Sequence, residues 1–307
     1  MRAVLLLLAA LAAHAAETVT HPYAGVTYID RTDDAPHAIH MHLALIDLHA
    51  EGIRFKLTPP GGPRECVRQT TLEFLEREHA QLAVNAHYFL PFPSRSAAAF
   101  LVGLAASEGR VYSAFEKPKQ RYALVANAPA FNIARDNRVT VVHRDPAFAD
   151  GMHVLEKVEL WNVVSGSAQI VTEGRATIPR YGVELKNGGP GHYSAKKSWY
   201  ERINARTAIG VTQDGATLVL FTADARGGSA GMKVSEVADL LIRDYAVWQA
   251  LNLDGGGSTT MAMGDRLVNT SSDNPQGRRV ASSLAVFALP PRAAPVHCER
   301  RSNGARE

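Results

Sequence analysis

Residues 250–261 read Ala250-Leu251-Asn252-Leu253-Asp254-Gly255-Gly256-Gly257-Ser258-Thr259-Thr260-Met261. Leu251 and Leu253 alternate with Asn252 and Asp254, the period of two of a β-strand. The leucines should face a core and the polar pair the opposite side, at the strand's end. Three glycines follow. Lacking Cβ atoms, they admit positive φ and let a ligand approach the backbone closely. Successive N–H groups in such a turn form a concavity suited to an anion. Ser258 and Thr259 add hydroxyls. One short segment therefore offers a carboxylate, an amide, a backbone cradle and two hydroxyl donors. A bare glycine run is as readily a plain turn leaving a strand, but the flanking Asn-x-Asp and Ser-Thr-Thr favour a site.

The neighbouring segments bring further groups toward this turn. Residues 234–249 carry Val237, Leu240, Leu241, Tyr245 and Trp248 at helical spacing. They predict an amphipathic helix that starts at a Ser235 N-cap and packs on a sheet. Before it, residues 207–211 and 217–222 predict a hairpin turning at Asp214-Gly215. That pairing sets Arg206 nearly opposite Asp224. The two read either as a structural ion pair or as a phosphate fork beside an acid/base carboxylate.

Toward the front, residues 23–30, 40–48 and 53–57 predict strands. A helix is expected over 70–79, capped by Thr70 or Thr71. Leu82-Ala83-Val84-Asn85 then reads as a short buried strand ending in an amide, followed by His87, Tyr88 and Phe89. Asn85 is either a second contributor to a shared site or a plain turn cap. His40 and His42 share a strand face, so a metal is conceivable. No Asp or Cys cluster in the sequence completes a ligand set, and the favoured reading is a histidine-bearing surface strand with no metal. Residues 97–106 are small and apolar and receive no assignment. Strands are expected over 122–126, 138–143 and 158–164. An exposed loop is expected over 186–199; loops of that length are often lids, but His192 and Tyr193 read as solvated decoration in preference to substrate contacts. After Met261 come a hairpin over 263–267, a polar break, and a last strand over 283–289. The fold class is α+β, a mixed, largely antiparallel β-sheet core with packed helices.

The chain has 307 residues, 46% of them hydrophobic, enough for a sizeable core. Its net charge of +3 is small for this size and argues against a dedicated nucleic-acid binder, which should carry a concentrated basic stripe. Arg2, the apolar run 4–13 and Ala13-His14-Ala15 read as a signal peptide over residues 1–16, cleaved near Ala15 or Ala16. The run is too short to span a bilayer, and no later stretch is long enough. The mature chain is therefore expected in a periplasm or secreted, as one domain over 17–290 with a loose tail over 291–307. Cys66 and Cys298 could pair there. The oligomeric state is not legible in the sequence.

Three segments in order carry a resemblance: Arg206-Thr207-Ala208-Ile209-Gly210, Phe221-Thr222-Ala223-Asp224, and Asn252-Leu253-Asp254-Gly255-Gly256-Gly257-Ser258. With Gly277-Arg278-Arg279-Val280 they resemble the phosphodiester glycosidase family, strongly over 204–287 and more weakly over 23–109. The chain departs from the family in having Ala86-His87 where two glycines are usual, Ala225 after Asp224, and Arg278 where a Glu is frequent. The resemblance implies hydrolysis of a sugar-1-phosphodiester in an envelope or extracellular glycan, freeing the sugar and leaving a phosphomonoester.

For that chemistry Arg206 and Arg278 would bind phosphate. Gly255, Gly256, Gly257, Ser258 and Thr259 would stabilise charge on the leaving group. Asp254, or second Asp224, would activate water or steady positive charge on the sugar. Asn85 and Asn252 would orient substrate hydroxyls. No cofactor is required, although Asp224 and Asp254 could share a Ca²⁺. Two alternatives are a non-catalytic module binding anionic polysaccharide and a phosphoesterase cutting a different bond.

Overall fold

The hairpin expected around Asp214-Gly215 forms, with Arg206–Thr212 paired antiparallel to Thr217–Ala223. In the computed structural model, which describes residues 15–115, 127–178, 200, 202–270 and 274–291, this hairpin lies at the centre of an eight-stranded sheet. Ile39–Asp47, Val26–Asp33 and Ala15–Tyr23 extend it on one side. Val247–Asn252, Ala168–Thr172 and Arg175–Ala176 extend it on the other.

Alternation along these strands divides the core in two. Ala208, Val219, Phe221 and Ala250 pack against Val237, Ala238 and Leu241 of the helix Val234–Tyr245. Ile209, Leu220, Leu251 and Leu253 face the other way. They share a core with Val84, Met261 and Leu284 of a second, five-stranded sheet. That sheet places Leu82–Asn85 between Met261–Met263 and Ser283–Phe287. Its far side is covered by the helix Thr71–Glu78 through Phe74 and Leu75. The layers thus run helix, sheet, sheet, helix, because each sheet has an apolar face to bury on both sides.

The largely antiparallel core agrees with the sequence reading, but the packed helices were overstated. Among the described residues the protein is mainly β, with two α-helices. One expected helix is shorter than its periodicity suggests. It ends at Tyr245, Ala246 turns left-handed at φ 50°, and Val247–Asn252 enters the sheet as a strand. Trp248 and Gln249 are therefore strand residues: Val247 pairs with Thr212 and Gln249 with Val211, with a register shift at Trp248, and β-branched and aromatic residues suit such a pleated surface. The N-cap is Lys233 rather than Ser235, and its N–H donates to the Glu236 carboxylate at 2.7 Å.

Residues 97–106 yield two short strands, Ala98–Leu101 and Ala105–Ser107, and the strand expected from 158 begins only at Asn162. The expected strand 122–126, His192, Tyr193, Cys298 and nearly all of the signal and tail segments lie outside the described residues; Cys66 is buried. No helix among the described residues is long and apolar enough to cross a membrane.

Ala246 bears a Cβ in a backbone region that suits glycine. Ala246→Gly is expected to raise the unfolding free energy by roughly 0.5–1 kcal/mol, relief of strain exceeding the added freedom of the unfolded chain. Urea unfolding at constant m-value checks it.

Candidate active site

Leu251 and Leu253 are wholly buried, as the alternation requires. The strand ends at Asn252, whose register partners are Ala208 and Ala168. The Asp254 N–H then donates to the Ala86 carbonyl at 3.0 Å, which ties the start of the turn to the second sheet. Gly256 adopts φ 60°, and Gly256–Ser258 closes as a short 3₁₀ turn. A Cβ on Gly257 would collide with the Arg278 guanidinium, so the missing side chain is what lets that cation reach the turn.

Asn85 holds the turn from behind. Its Nδ2 donates to the Asp254 carbonyl at 2.6 Å. Its Oδ1 accepts from the Thr260 N–H at 2.9 Å and the Thr207 hydroxyl at 2.8 Å. The side chain is wholly buried. The amide therefore serves three protein segments, and not the substrate hydroxyls expected of it. Asn252 is also buried. Its Nδ2 lies 2.8 Å from the Ser167 hydroxyl and 3.2 Å from that of Tyr88, while its Oδ1 has no partner.

A cavity of about 380 Å³ opens over the turn. Tyr88, Phe89, Phe92 and Pro93 form one wall; Asp254, the three glycines, Ser258 and Arg278 form the other, with Asn204 at the edge. Asp254 is the one carboxylate among the described residues lining it. Half-buried in the wall, its carboxyl is pushed up from 3.8 to about 7. Burial dominates; the Ser258 hydroxyl, the Arg278 charge and the Gly255 N–H oppose it. Burial, then the charge of Asp254, also raises the Tyr88 phenol. Arg278 Nη1 donates to the Ser258 hydroxyl at 3.3 Å, and its guanidinium lies 5.1 Å from the Phe92 ring centroid. Arg279 points away, to Glu73 at 2.8 Å and the Arg68 carbonyl at 3.0 Å.

Several expected site residues stand elsewhere. Arg206 pairs with Ala223, not Asp224. Neighbouring strand residues face opposite sides, so this register sends the two side chains apart. Arg206 is buried at 1% exposure; its Nε donates to the Met232 carbonyl at 2.8 Å and its Nη2 to the Arg202 carbonyl. Burial lowers its pKa. Asp224 accepts from Asn269 Nδ2 and the Thr270 N–H, each at 3.0 Å, and His42 Nε2 lies 3.4 Å away. Neither residue lines the cavity.

The glycine turn also offers fewer free donors than a cradle needs. The N–H groups of Gly256, Ser258 and Thr259 bond to the carbonyls of Ala205, Gly255 and Gly256 at 2.8, 3.2 and 3.1 Å. Thr259 is buried with its hydroxyl unpartnered. The sequence reading missed the wall formed by Phe92 and Pro93. The aromatics after Asn85 were its only signal there, and the prolines read simply as breaks.

Asn85→Ala would strand buried donors and acceptors on three segments, so it is expected to cost roughly 2–4 kcal/mol in chemical unfolding. A residue that merely orients substrate would leave stability nearly unchanged. Asp254 carries a folded pKa above its unfolded value. It therefore contributes nothing below about pH 4, and a growing penalty as pH rises toward about 7. Asp254→Asn should gain melting temperature relative to the parent chain at pH 8, and lose that gain at pH 4.

Residues 78–287 match the family model described as phosphodiester glycosidase. The human N-acetylglucosamine-1-phosphodiester alpha-N-acetylglucosaminidase is 28% identical over 289 residues, covering 89% of this chain and 50% of that protein. The chain spans about half the length of the curated mammalian relatives it matches in human and mouse. The fold matches the catalytic domain of the zebrafish enzyme of the same name at TM-score 0.59 and 22% identity, over 90% of this chain and 83% of that one. It also matches a hypothetical protein from Synechocystis at TM-score 0.62 and 16% identity, over 86% and 62%. On the match over residues 78–287, built on the glycine turn and the sheets that hold it, the chain belongs to the phosphodiester glycosidase family.

Proposed function

We propose that the cavity over the glycine turn hydrolyses a sugar-1-phosphodiester, as the names of the mammalian relatives state for those proteins. The observation that carries this reading is the Asp254 carboxyl sharing the cavity wall with the Arg278 guanidinium, its pKa pushed up to about 7 by burial. Arg278 binds the phosphodiester anion, held in orientation by the Phe92 ring and the Ser258 hydroxyl. A neutral carboxyl sits next to that anion without repulsion and offers it a hydrogen bond.

Water attacks the anomeric carbon. The C1–O bond breaks with its electron pair going to the phosphate oxygen, and that oxygen takes the Asp254 proton. The water's proton goes to solvent, from which Asp254 is reprotonated. The leaving group is a phosphomonoester whose second pKa is about 6, close to that of the acid, so proton transfer needs little driving force. Burial strengthens each of these interactions by keeping bulk water from the wall.

In this scheme Arg206 and Asn85 are positioning residues that hold the turn and its neighbours. Asn252 orients the Tyr88 hydroxyl toward the substrate. Asp224 takes no part in the proton transfer. The signal-like residues 1–16 support a mature chain outside the cytoplasm, and with it a phosphodiester-linked sugar of an envelope or extracellular glycan as the substrate class.

The test is incubation of the folded chain with N-acetylglucosamine-1-phosphodiester model compounds. Free sugar is expected, with ³¹P NMR placing the phosphomonoester on the other half. Phosphate retained on the sugar would mean a phosphoesterase. Tight binding without turnover would mean a binding module. Asp254→Asn should lower kcat by about 10²-fold or more. Arg278→Ala should lower kcat/KM by roughly 10–10²-fold. Since the protonated form of Asp254 is the active one, kcat should fall as pH rises through about 7; a rate that rises across that range would assign the carboxylate as a base.

A further inference from the structure

A second group of titratable side chains lies away from the cavity, on the face of the large sheet that looks toward the second sheet. His40 and His42 stand two apart on the strand Ile39–Asp47, so both project to one face. Asp30 is the register partner of His42 on the neighbouring strand, and the Asp224 N–H bonds to the His40 carbonyl on the other side. Parity thus brings residues 30, 40, 42 and 224 to the same face from three chain segments. The His40-x-His42 spacing is visible in the sequence, but the addition of Asp30 and Asp224 is not.

We infer that Asp30, His40 and His42 form a binding site for a divalent transition-metal ion of the zinc class, with Asp224 supporting both imidazoles from behind. One donor atom from each of the three lies within 4.8 Å of the others. His40 Nε2 is 2.7 Å from Asp30 Oδ1, and His42 Nδ1 is 4.0 Å from Asp30 Oδ2. Ligands around a tetrahedral zinc stand about 3.3 Å apart, given bonds of about 2 Å, so the two distances bracket the required one. The rings lie against each other, with centroids 4.3 Å apart.

The second observation concerns the far nitrogens. Asp224 Oδ2 lies 3.4 Å from His42 Nε2 and 3.7 Å from His40 Nδ1, the two atoms turned away from Asp30. A carboxylate behind a ligating histidine holds the proton on the rear nitrogen and leaves the front lone pair for the metal. Here one buried carboxylate lies behind both rings, within hydrogen-bond reach of His42 Nε2 and just beyond it at His40 Nδ1. Imidazole and carboxylate donors suit zinc and its neighbours better than calcium or magnesium. The Tyr28 hydroxyl now sits 2.7 Å from His42 Nδ1. A bound ion replaces that hydrogen bond, and water completes four positions.

His42 is almost fully buried, whereas the Asp30 and His40 side chains are 42% and 32% exposed, which gives the ion a way in. The site connects to the glycine turn. Asp224 Oδ1 accepts from Asn269 Nδ2 at 3.0 Å, and Asn269 also contacts the Thr259 carbonyl at 3.3 Å and the Met261 N–H at 2.7 Å. The ion is therefore structural: it anchors the segment that leaves the turn.

The test uses the chain without a polyhistidine tag, stripped by chelator and dialysed into metal-free buffer. Calorimetry with ZnCl₂ should show one ion per chain, with Kd below about 1 µM, and a raised melting temperature. CoCl₂ should give the visible absorption of a tetrahedral ion. His40→Gln and Asp30→Asn should each weaken zinc binding at least 10-fold, and Asp224→Asn by about 10–100-fold. Asp254→Asn should bind zinc as the parent does. His42→Ala opens a buried position, so the two partly exposed residues carry the test, with circular dichroism verifying that each variant is folded. Absence of saturable zinc and cobalt binding, or binding undiminished in the Asp30→Asn/His40→Gln double variant, overturns the proposal.

Discussion

The Asn85 side-chain amide is the contact on which the active-site geometry depends. It ends a strand of the second sheet, yet it bonds to the Asp254 carbonyl, the Thr260 N–H and the Thr207 hydroxyl. The last of these belongs to the central hairpin of the first sheet. One buried residue therefore joins both sheets and both ends of the glycine turn. A carboxamide suits this place because it donates and accepts in one plane without carrying charge. An aspartate would repel the Asp254 carbonyl and add a desolvated anion beside a second carboxyl.

The two acidic residues nearest this junction show how environment separates identical chemistries. Asp224 receives N–H donors on both oxygens, with two imidazoles alongside. Asp254 has the Ser258 hydroxyl, the Gly255 N–H and the Arg278 charge, which together fall short of its desolvation. A carboxyl with that deficit has its pKa pushed up to about 7, so that it still carries its proton in mildly acidic solution. The missing side chain at Gly257 matters for the same reason. It lets Arg278 come close enough to steady Asp254 without removing its proton entirely.

Much of this was legible in the sequence. The period of two at Leu251 and Leu253 fixed which side of the strand is core, and Asp214-Gly215 located the hairpin turn. The family followed from ordered segments around Arg206, Asp224 and the glycine turn. Asp254, Ser258 and Arg278 do meet at one cavity. The failures share a cause. The hairpin was read one residue out of register at its open end. Arg206 and Asp224 were therefore set face to face, when they point to opposite sides of the sheet. The helix over 234–249 was extended through Val247 and Trp248 because helical spacing continues there. Pairing with Arg206–Thr212 claimed the segment from Val247 instead.

By itself the sequence determined the family, the largely antiparallel core and the glycine-turn segment that carries Asp254, because these are written in local alternation and in contiguous motifs. Only the tertiary structure decided which polar side chains are available to a ligand. Arg206 bonds to backbone carbonyls, Asn85 to three protein segments, and most glycine-turn N–H groups to their own chain. Hydrogen-bond partners distant in sequence settle that question, and residue type does not reveal them. The same holds for Asp30 and Asp224, which only sheet register brings to the face that His40 and His42 share.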